Sequence, residues 1–420
     1  MRSVSIANSS GHKAITLGSN YNMARTIFRN WLANLSNGCL RIHEAGEITH
    51  YGQSPEQTDL VADIHVLDAQ LYTNVLFGGS IGAGEAYING QWETNDLTAV
   101  TRLFARNLAV LDKIDANQSL LSKLLLRVFG VLRRNTKSGS RNNISAHYDL
   151  GNDFFKFFLD QHMMYSSAIY PTPDASLEQA AQYKLQRVCE KLQLSANDHL
   201  LEIGTGWGGM AIYAARHYGC RVTTTTISRE QYQYATMRVE QAGLADRVTV
   251  LYKDYRELTG RFSKLVSIEM IEAVGHQNYD QYFSTCSALL EDQGLMLLQS
   301  ITISDQRYKN ALRSIDFIQR YIFPGGCLPC IGVIADKVMD KTDMTIVGIE
   351  EIGDHYARTI KHWREAFMAK LDQVRALGFD ERFIRMWAFY LSYCEGGFEE
   401  RSIGTAQVLL AKPQYRPRFF

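Results

Sequence analysis

The chain has 420 residues, enough for two domains, and its 46% apolar and 21% charged residues are typical of a soluble globular protein. Lys plus Arg total 44 and Asp plus Glu total 44, a balance that argues against nucleic-acid binding through the overall field of the protein. Mean hydropathy is −0.19, and no run approaches the roughly 18 apolar residues that indicate a membrane-spanning helix.

The N-terminal segment and the cysteines indicate an intracellular protein. Residues 1–17 lack the apolar stretch of a secretory signal. The seven cysteines are an odd number for a closed disulfide framework and are scattered along the chain. We therefore expect a cytoplasmic protein with reduced thiols.

Residues 1–115 predict a small α+β domain. An apolar run at 59–66 is typical of a strand, and the apolar spacing at 97–111 suits an amphipathic helix. Residues 78–94 are rich in glycine, but no Lys-Ser or Lys-Thr pair follows, as a phosphate-binding loop would require. We predict turns in this glycine-rich segment.

Residues 116–143 predict a basic helix followed by a linker. No acidic residue lies between Asp115 and Asp149, and the first half of the stretch spaces its cations among Leu, Val and Phe at helical intervals. The second half is polar, as in a flexible linker. Two interpretations remain open, a surface helix with a hinge or a helix resting on anionic lipid headgroups. The cations are Lys123, Arg127, Arg133, Arg134, Lys137 and Arg141.

Residues 144–420 alternate between strand and helix patterns. Such alternation predicts an α/β domain in which a largely parallel, Rossmann-like sheet carries helices on both faces. Ligand sites in this architecture lie beyond the carboxyl ends of the strands. Strands are predicted at 199–204, 221–228, 248–254, 264–270 and 294–303, and helices at 207–219, 229–243 and 279–291.

The first strand-to-helix turn of this domain is rich in glycine. Gly204 and Gly206 are followed by adjacent glycines at 208 and 209, which is not the G-x-G-x-x-G spacing of a dinucleotide site. Glu202, two positions before Gly204, instead makes the segment resemble the first motif of S-adenosylmethionine-dependent methyltransferases, in which the loop wraps the amino-acid part of the cofactor.

The next two strand ends offer further candidates for cofactor binding. The second strand ends without the usual ribose-binding carboxylate, and Ser228 and Gln231 have the spacing of a helix capping box. The third strand is followed by Asp254 and Tyr255, a carboxylate and an aromatic ring that suit hydrogen bonding to and stacking on adenine.

Six segments read together resemble the cyclopropane-fatty-acyl-phospholipid synthase family. The resemblance covers roughly residues 144–411, and the N-terminal domain, which in the family is lipid-associated, matches less distinctly. It implies an S-adenosylmethionine-dependent methyltransferase. The segments are HYDLGNDFFKFFLD at 147–160, MYSSAIY at 164–170, LEIGTGWGGM at 201–210, TTISREQ at 225–231, YIFPGGCLP at 321–329 and CEGGF at 394–398.

The resemblance also implies a set of cofactor-binding residues. A Tyr-Ser pair contacts the cofactor in the family, a threonine and a glutamine replace the missing ribose carboxylate, and an aromatic ring lies against adenine. The matching residues here are Tyr165, Ser166, Gly204, Gly206, Thr226, Gln231 and Tyr255.

The implied reaction is one-carbon transfer to the cis double bond of a phospholipid acyl chain. Attack on the sulfonium methyl group creates a carbocation, and a base must then remove a proton so that a cyclopropane ring can close. Bound bicarbonate is the base implied by the family, and its matching ligands are Glu272, Tyr321 and Cys394. From the residues alone, an ordinary loop carboxylate, a packing ring and a buried small thiol are the alternatives.

Two positions depart from the family pattern. Ser167 and Gln299 stand where the commonest relatives have cysteine and histidine. Both side chains can still donate hydrogen bonds to bicarbonate. The departure leaves open a reaction that stops at a methylated or methylene-bearing chain. Methylation of a small amine and an inactive lipid-binding protein are further alternatives.

The remaining expectations concern metals and partners. Cys327 and Cys330 form a lone C-x-x-C without a second ligand pair at zinc spacing, so we predict no metal site. Residues 116–148 carry six cations and no acid, which leaves 38 positive and 44 negative residues elsewhere. This distribution favours an enzyme held peripherally on the inner, anionic face of a phospholipid bilayer, with no nucleic-acid partner. Relatives also suggest a homodimer.

Overall fold

The computed structural model describes residues 19–116 and 150–416. The chain divides into two compact units, residues 1–122 and 123–420. Apart from Ala116, the predicted basic helix and linker lie outside the described residues, as do the first three residues of the HYDLGNDFF segment.

The N-terminal unit has a four-stranded sheet with strand order β2-β1-β3-β4. Its strand β3 coincides with the strand predicted at 59–66, where alternate side chains are buried as the period of a strand requires. The elements are α1 (Ser19–Leu32), β1 (Cys39–Glu44), β2 (Glu47–Gly52), β3 (Val61–Val66), α2 (Gln70–Ile88), β4 (Trp92–Glu93), α3 (Leu97–Arg106) and α4 (Leu108–Ala116).

The prediction of turns at 78–94 is wrong for most of that segment, because helix α2 continues to Ile88. The helix bends at Gly79, whose φ of 60° lies in the region that favours glycine. A Cβ atom at Gly82 would lie 2.0 Å from the carbonyl oxygen of Asn74, so this glycine allows a close backbone approach at the bend. The glycines thus serve packing within a helix.

The helix predicted at 97–111 is present but is broken at Asn107 between α3 and α4. The buried Asn107 side chain accepts hydrogen bonds from the backbone N–H groups of Ser36 and Asn37 at 3.0 and 3.1 Å. It also donates to the carbonyl oxygens of Asn37 and Leu103, each at 2.8 Å. One amide therefore satisfies the polar backbone of the loop after α1.

The C-terminal unit confirms the predicted α/β alternation. Its first half contains α5 (Asn152–Phe155), α6 (Leu177–Lys191), β5 (His199–Ile203), α7 (Gly209–Tyr218), β6 (Arg221–Thr226), α8 (Arg229–Gln241), β7 (Val248–Tyr252), β8 (Phe262–Ile268), α9 (Tyr279–Leu289) and β9 (Leu290–Ile303). Its second half contains α10 (Asp305–Ala311), α11 (Phe317–Tyr321), α12 (Ile331–Lys341), β10 (Thr345–Glu351), α13 (Gly353–Met368), α14 (Leu371–Ala376), α15 (Glu381–Glu399) and β11 (Ile403–Ala411).

These strands form a seven-stranded sheet of order β10-β11-β9-β8-β5-β6-β7. Strands β5 to β9 run parallel, and β11 and β10 continue the sheet antiparallel beyond β9. Leu201 and Ile203 belong to one hydrophobic core and Leu200 to another, so both faces of the sheet are covered. Because the chain reverses its direction of winding between β5 and β8, a crevice is expected at the carboxyl ends of these two strands.

Among the helices of the described residues, none combines the length and the apolar character that crossing a bilayer demands.

Replacing Asn107 with alanine tests the role of its amide in the N-terminal unit. The Asn107→Ala change removes the four hydrogen bonds of a buried amide, so we expect the free energy of unfolding of this unit to fall by about 2–4 kcal/mol. Denaturant titration measures the change. Asn34→Ala, at an exposed position, is the matched control, and equal effects of the two changes would contradict the assignment.

Candidate active site

The glycine turn after β5 forms one wall of the candidate site. Gly204 and Gly206 have φ values of 104° and 51°, conformations that favour glycine. The backbone N–H groups of Gly204 and Thr205 both donate to the carbonyl oxygen of Thr225 on β6, at 3.1 and 3.0 Å. A Cβ atom at Gly206 would meet no atom within 4 Å, so the turn opens onto free space that suits a cofactor.

The segment 160–168 lies against this turn. A Cβ atom at Gly209 would lie 2.5 Å from the carbonyl oxygen of His162, so glycine is required where α7 begins. The guanidinium of Arg238 donates to the carbonyl oxygens of His162 and Trp207, both at 3.0 Å. These contacts hold the segment that contains Tyr165 and Ser166 against the start of α7, and cofactor binding by these two residues stays a prediction.

Aromatic side chains surround Tyr165. Its hydroxyl shares a hydrogen bond of 2.9 Å with that of Tyr390. Packed rings of this kind exclude water and stabilise positive charge through their π faces. The rings with centroids within 6.5 Å of that of Tyr165 include Phe155, Phe158, Trp207, Phe323 and Trp363.

A buried lysine lies behind Ser166. Lys184 on α6 is fully buried and donates from Nζ to the Ser166 hydroxyl at 3.0 Å. Burial lowers the pKa of Lys184 to about 8, against the opposing effect of the charges of Glu269, Asp160 and Glu202. The sequence analysis missed this residue, because a lysine in an amphipathic helix reads as a solvent-exposed position.

Glu202, predicted from the cofactor motif, is buried within the sheet. Its Oε2 atom accepts a hydrogen bond of 2.7 Å from the Thr224 hydroxyl, which also pairs with that of Thr205 at 2.7 Å. Burial raises the pKa of Glu202 to about 8. The carboxyl group therefore holds the strand ends that flank the glycine turn.

The residues predicted to bind ribose are paired with each other. The Thr226 hydroxyl donates to the Gln231 side-chain oxygen at 2.8 Å and accepts from the backbone N–H of Ser228 at 3.1 Å. The Ser228 hydroxyl accepts from the backbone N–H of Gln231 at 3.3 Å and so caps α8. The pair at 226 and 231 thus stands at the carboxyl end of β6, where a ribose carboxylate is absent.

The two residues predicted to lie at adenine have other contacts in this structure. Both carboxylate oxygens of Asp254 accept hydrogen bonds from the Arg256 guanidinium, at 2.8 and 2.6 Å. Tyr255 is buried in a hydrophobic core, with its ring 5.6 Å from that of Tyr282. Adenine binding by these two residues stays a prediction, and the contacts give both residues a structural role.

Glu269, which the sequence analysis did not single out, is at the centre of the site. It directly follows β8 and has a φ of 50°, an uncommon conformation for a residue with a side chain. Its Oε1 atom accepts from the backbone N–H of Ser167 at 2.9 Å and from Gln299 Nε2 at 2.8 Å. Its Oε2 atom accepts from the Tyr356 hydroxyl at 2.7 Å.

The orientation of the Gln299 amide is set by a second glutamine. Gln407 Nε2 donates to Gln299 Oε1 at 2.8 Å, which leaves Gln299 Nε2 to donate to Glu269 and, at 3.4 Å, to the carbonyl oxygen of Ser167. The Ser167 hydroxyl donates to the carbonyl oxygen of Ala168 at 3.0 Å. In this structure the side-chain donors of Ser167 and Gln299 are used within the protein, and their role as bicarbonate ligands stays a prediction.

Glu272, predicted to be catalytic, lies next to Glu269 in the loop after β8. Its Oε1 atom accepts from the backbone N–H of Ile301 at 2.5 Å and from the Ser300 hydroxyl at 3.0 Å. Its Oε2 atom is buried and has no hydrogen-bond partner in the described structure. Burial, helped by the charge of Glu269, raises the pKa of Glu272 to about 8, so this carboxyl group is mainly neutral at pH 7.

The other two predicted ligands come from separate helices. Cys394 is half-buried on α15, and burial raises the pKa of its thiol, so it remains protonated. Tyr321 ends α11, and its ring lies 5.1 Å from that of Phe317. The tyrosine whose hydroxyl bonds to the central carboxylate is Tyr356 on α13.

The residues that were missed carried only weak signals. In VSIEMIEAVG two glutamates, at 269 and 272, follow a predicted central strand, and that pair could have been recognised at a strand end. Tyr356 belongs to no chemical motif and reaches the site only because α13 packs there.

A metal site has little support in this part of the molecule. Among the described residues, Asp160, His162 and Glu178 each place one potential ligand atom within 4.8 Å of the others. However, the Asp160 oxygens accept from the backbone N–H groups of His162 and Met164 at 2.8 and 2.9 Å. This carboxylate is used to shape the loop.

Comparison with known proteins identifies relatives over most of the chain. Residues 135–408 match the family model described as mycolic acid cyclopropane synthetase. The chain is 38% identical over 353 residues to the cyclopropane-fatty-acyl-phospholipid synthase of Escherichia coli, covering 84% of this chain and 88% of that protein. It is 37% identical over 341 residues to the tuberculostearic acid methyltransferase of Mycobacterium tuberculosis, covering 80% and 79% of the two chains.

Solved structures agree with these matches. A mycolic acid cyclopropane synthase in complex with SAH and CTAB superimposes with a TM-score of 0.61 and 30% identity, covering 65% of this chain and 98% of that one. A cyclopropane synthase from Mycobacterium tuberculosis gives the same TM-score at 29% identity. The α/β methyltransferase fold predicted from the sequence is thereby confirmed.

The buried Glu202 predicts a pH-dependent stability. The pKa of Glu202 in the folded protein is about 8, above the ordinary value of 4.5. The contribution of this group to the free energy of unfolding is therefore fully present below pH 4.5 and is lost as the pH rises through 8. Glu202→Gln cannot ionise, and we expect the wild type to lose a few kcal/mol relative to this variant between pH 5 and 8.5. Denaturant unfolding at several pH values measures it.

The exposed Glu240 on α8 offers a matched control for this titration. Glu240→Gln is expected to follow the wild-type curve at every pH. Parallel curves for the wild type and Glu202→Gln would contradict the burial argument.

Proposed function

The chain belongs to the mycolic acid cyclopropane synthetase family and is an S-adenosylmethionine-dependent methyltransferase, and from this premise we propose that it transfers one carbon to the cis double bond of an unsaturated phospholipid acyl chain. The observation that carries this proposal is the pairing of an open glycine turn with the cluster of aromatic rings around Tyr165. A soluble polar substrate would need polar groups around it, whereas an acyl chain needs apolar walls.

The glycine turn and the Tyr165–Ser166 segment fit the cofactor. S-adenosylmethionine supplies a methyl group on a positively charged sulfur when it is bound there. Gly206 leaves space at the turn, and the residue pair at 226 and 231 stands where ribose is expected. Glu202 bonds to Thr224 on β6, and Lys184 bonds to Ser166. Both buried side chains support the turn and the segment through these bonds and do not need to contact the ligand.

The acyl chain then reacts as a nucleophile. The electron pair of its double bond would bond to the methyl carbon that the cofactor supplies, while the methyl–sulfur bond breaks and its electron pair stays on the sulfur. Positive charge is then left on the neighbouring chain carbon. The rings around Tyr165 stabilise this charge and keep water from quenching it. Loss of a proton from the new methyl group allows its C–H electron pair to close a three-membered ring.

A second product is supported by a specific observation. Ser167 and Gln299, the two departures from the family pattern, hold Glu269. If a 1,2-hydride shift first moves the positive charge to the chain carbon that carries the new methyl group, loss of a methyl proton to a base leaves a methylene branch in place of a ring. The two relatives reported above are named for a ring-bearing and a methyl-bearing product, respectively.

We also propose that the basic stretch 116–148 brings the enzyme to the inner face of the membrane. Its six cations without a single acid suit an anionic lipid surface, where each cation contributes about 1 kcal/mol. The substrate chain resides in that bilayer, so surface attachment raises its local concentration at the enzyme.

The lipid product tests the proposed reaction. Cells expressing the protein should contain monounsaturated phospholipids heavier by the mass of one CH₂ group, measured by mass spectrometry. Gly204→Val is the control, because φ of 104° and the contact with Met270 at 3.3 Å disfavour a side chain there, and it should give no heavier lipid. Proton NMR separates a ring from a methylene or methyl branch. An unchanged lipid spectrum for a cofactor-binding wild type would contradict the proposal.

Vesicle co-sedimentation tests the basic stretch. Neutralising Arg133, Arg134 and Lys137 to glutamine should weaken binding to anionic vesicles by about 100-fold, because roughly 3 kcal/mol of attraction is removed. Asn135→Gln, within the same stretch, should bind like the wild type. Equal binding of the wild type to anionic and neutral vesicles would contradict the electrostatic interpretation.

A further inference from the structure

We propose that Glu269 occupies, with its own carboxylate, the place of the bound anion and is the base that removes the proton from the transferred methyl group. This inference rests on the proposed function and deepens it. It assigns to this chain a built-in base in place of bicarbonate. The argument follows from the contacts of the carboxylate, the strain of its backbone and its position beside the glycine turn.

The contacts of Glu269 are those of an anion site. A backbone N–H, an amide N–H and a phenol O–H converge on its two oxygens at 2.7–2.9 Å. Ser167 and Gln299, which contribute two of these donors, were predicted from the sequence to hold bicarbonate. A carboxylate and a bicarbonate present the same planar pair of oxygens, so the two groups compete for one set of donors.

The backbone at Glu269 is held in an unfavourable conformation. A φ of 50° is unfavourable for a residue with a Cβ atom. The backbone N–H of Glu269 donates to the carbonyl oxygen of Gln299 at 2.7 Å, which fixes the turn. The backbone of Glu269 is thus strained in a conformation that directs its side chain to the donors, as is common for functional groups.

Glu269 lies beside the glycine turn that is predicted to hold the methyl donor. Strands β5 and β8 are parallel neighbours, and Glu269 and the glycine turn follow their carboxyl ends. The next residue, Met270, lies against the turn, since a Cβ atom at Gly204 would be 3.3 Å from the Met270 side chain. The carboxylate and the cofactor turn are therefore parts of one crevice.

Two neighbouring carboxyl groups are divided into a base and an acid. Burial raises the pKa of Glu269, while its hydrogen bonds and the charge of Lys184 act in the opposite direction. Glu272 receives no such cation and has its pKa raised to about 8 by burial and by Glu269. We assign the role of base to Glu269, on whose carboxylate three donors converge, and the role of neutral neighbour to Glu272, whose Oε2 atom has no donor. Acid–base sites commonly use such a division.

The proton-transfer step is balanced within the site. A C–H bond of the transferred methyl breaks, its electron pair forms the bond that neutralises the cationic chain carbon, and the proton passes to a Glu269 oxygen. The neutral carboxylic acid returns the proton to water after the product leaves. No oxidant or reductant is required.

The wild type and two variants, each assayed with and without bicarbonate, test the proposal. In CO₂-depleted buffer the wild type should keep its rate within twofold when bicarbonate is added. Glu269→Gln should lose at least 100-fold in kcat without rescue by bicarbonate, since a positioned base contributes 10²–10⁴-fold. Glu269→Gly relieves the strained φ and opens the anion site, so bicarbonate should raise its rate at least tenfold.

Glu240→Gln, an exposed carboxylate on α8, is the matched control and should behave as the wild type. A wild type that bicarbonate stimulates more than fivefold would overturn the proposal. So would a Glu269→Gln variant that keeps a third of the wild-type kcat, or a folded Glu269→Gly variant that bicarbonate does not activate. A merely structural role for Glu269 does not create a dependence on bicarbonate.

Binding of ¹³C-labelled bicarbonate, followed by NMR line broadening, separates this proposal from the proposed function. Glu269→Gly should bind the ion and the wild type should not, whichever substrate the enzyme methylates. Binding by the wild type would overturn the assignment of Glu269 to the anion site. An enzyme that shows this binding pattern but adds no carbon to lipid would contradict only the proposed substrate.

Discussion

The burial of ionisable groups at one end of the sheet is the constraint on which the site depends. Lys184 and Glu202 are almost fully removed from water, and the carboxylate of Glu269 accepts three hydrogen bonds from within the protein. A buried charge costs several kcal/mol unless polar partners compensate it. The partners come from distant parts of the chain, so satisfying them draws separate loops and helices into one crevice.

Glu269 shows how this constraint organises the chemistry. Its carboxylate joins the segment at Ser167, the strand at Gln299 and the helix at Tyr356, which are far apart in sequence. The Gln407 amide donates to Gln299 Oε1 and so fixes the orientation of the Gln299 amide. The Nε2 donor of Gln299, and not its oxygen, therefore faces the carboxylate. The site is therefore preorganised, and the hydrogen bonds need not rearrange when charge develops.

The crevice has two halves, the glycine turn that is expected to hold the cofactor and the acidic half around Glu269, and they depend on different features of the fold. The glycine turn after β5 depends on backbone geometry, which the parallel sheet supplies at its change of winding direction. The acidic half depends on side chains that arrive from β8, β9 and α13.

Much of the fold could be predicted from the sequence. The strands and helices from residue 199 to 303 lie where hydrophobic periodicity predicts them, because a buried parallel sheet needs apolar strands and amphipathic helices. The glycines of α2 were misread as turns, since a glycine that allows helix packing and one that allows a turn look alike in sequence. The break at Asn107 could not be foreseen either, because its partners lie about 70 residues away.

The site was predicted only where chemistry is local in sequence. By itself, the sequence determined that a glycine turn follows a strand, because the pattern is contiguous. It also singled out the Tyr165–Ser166 segment and Glu272 from contiguous motifs, and their binding and catalytic roles stay predictions. Only the tertiary structure decided that Ser167 and Gln299 hold Glu269, that Tyr356 reaches it, and that Asp254 is paired with Arg256. The physical reason is that a buried carboxylate is defined by its hydrogen-bond partners, and those partners meet only when the chain is folded.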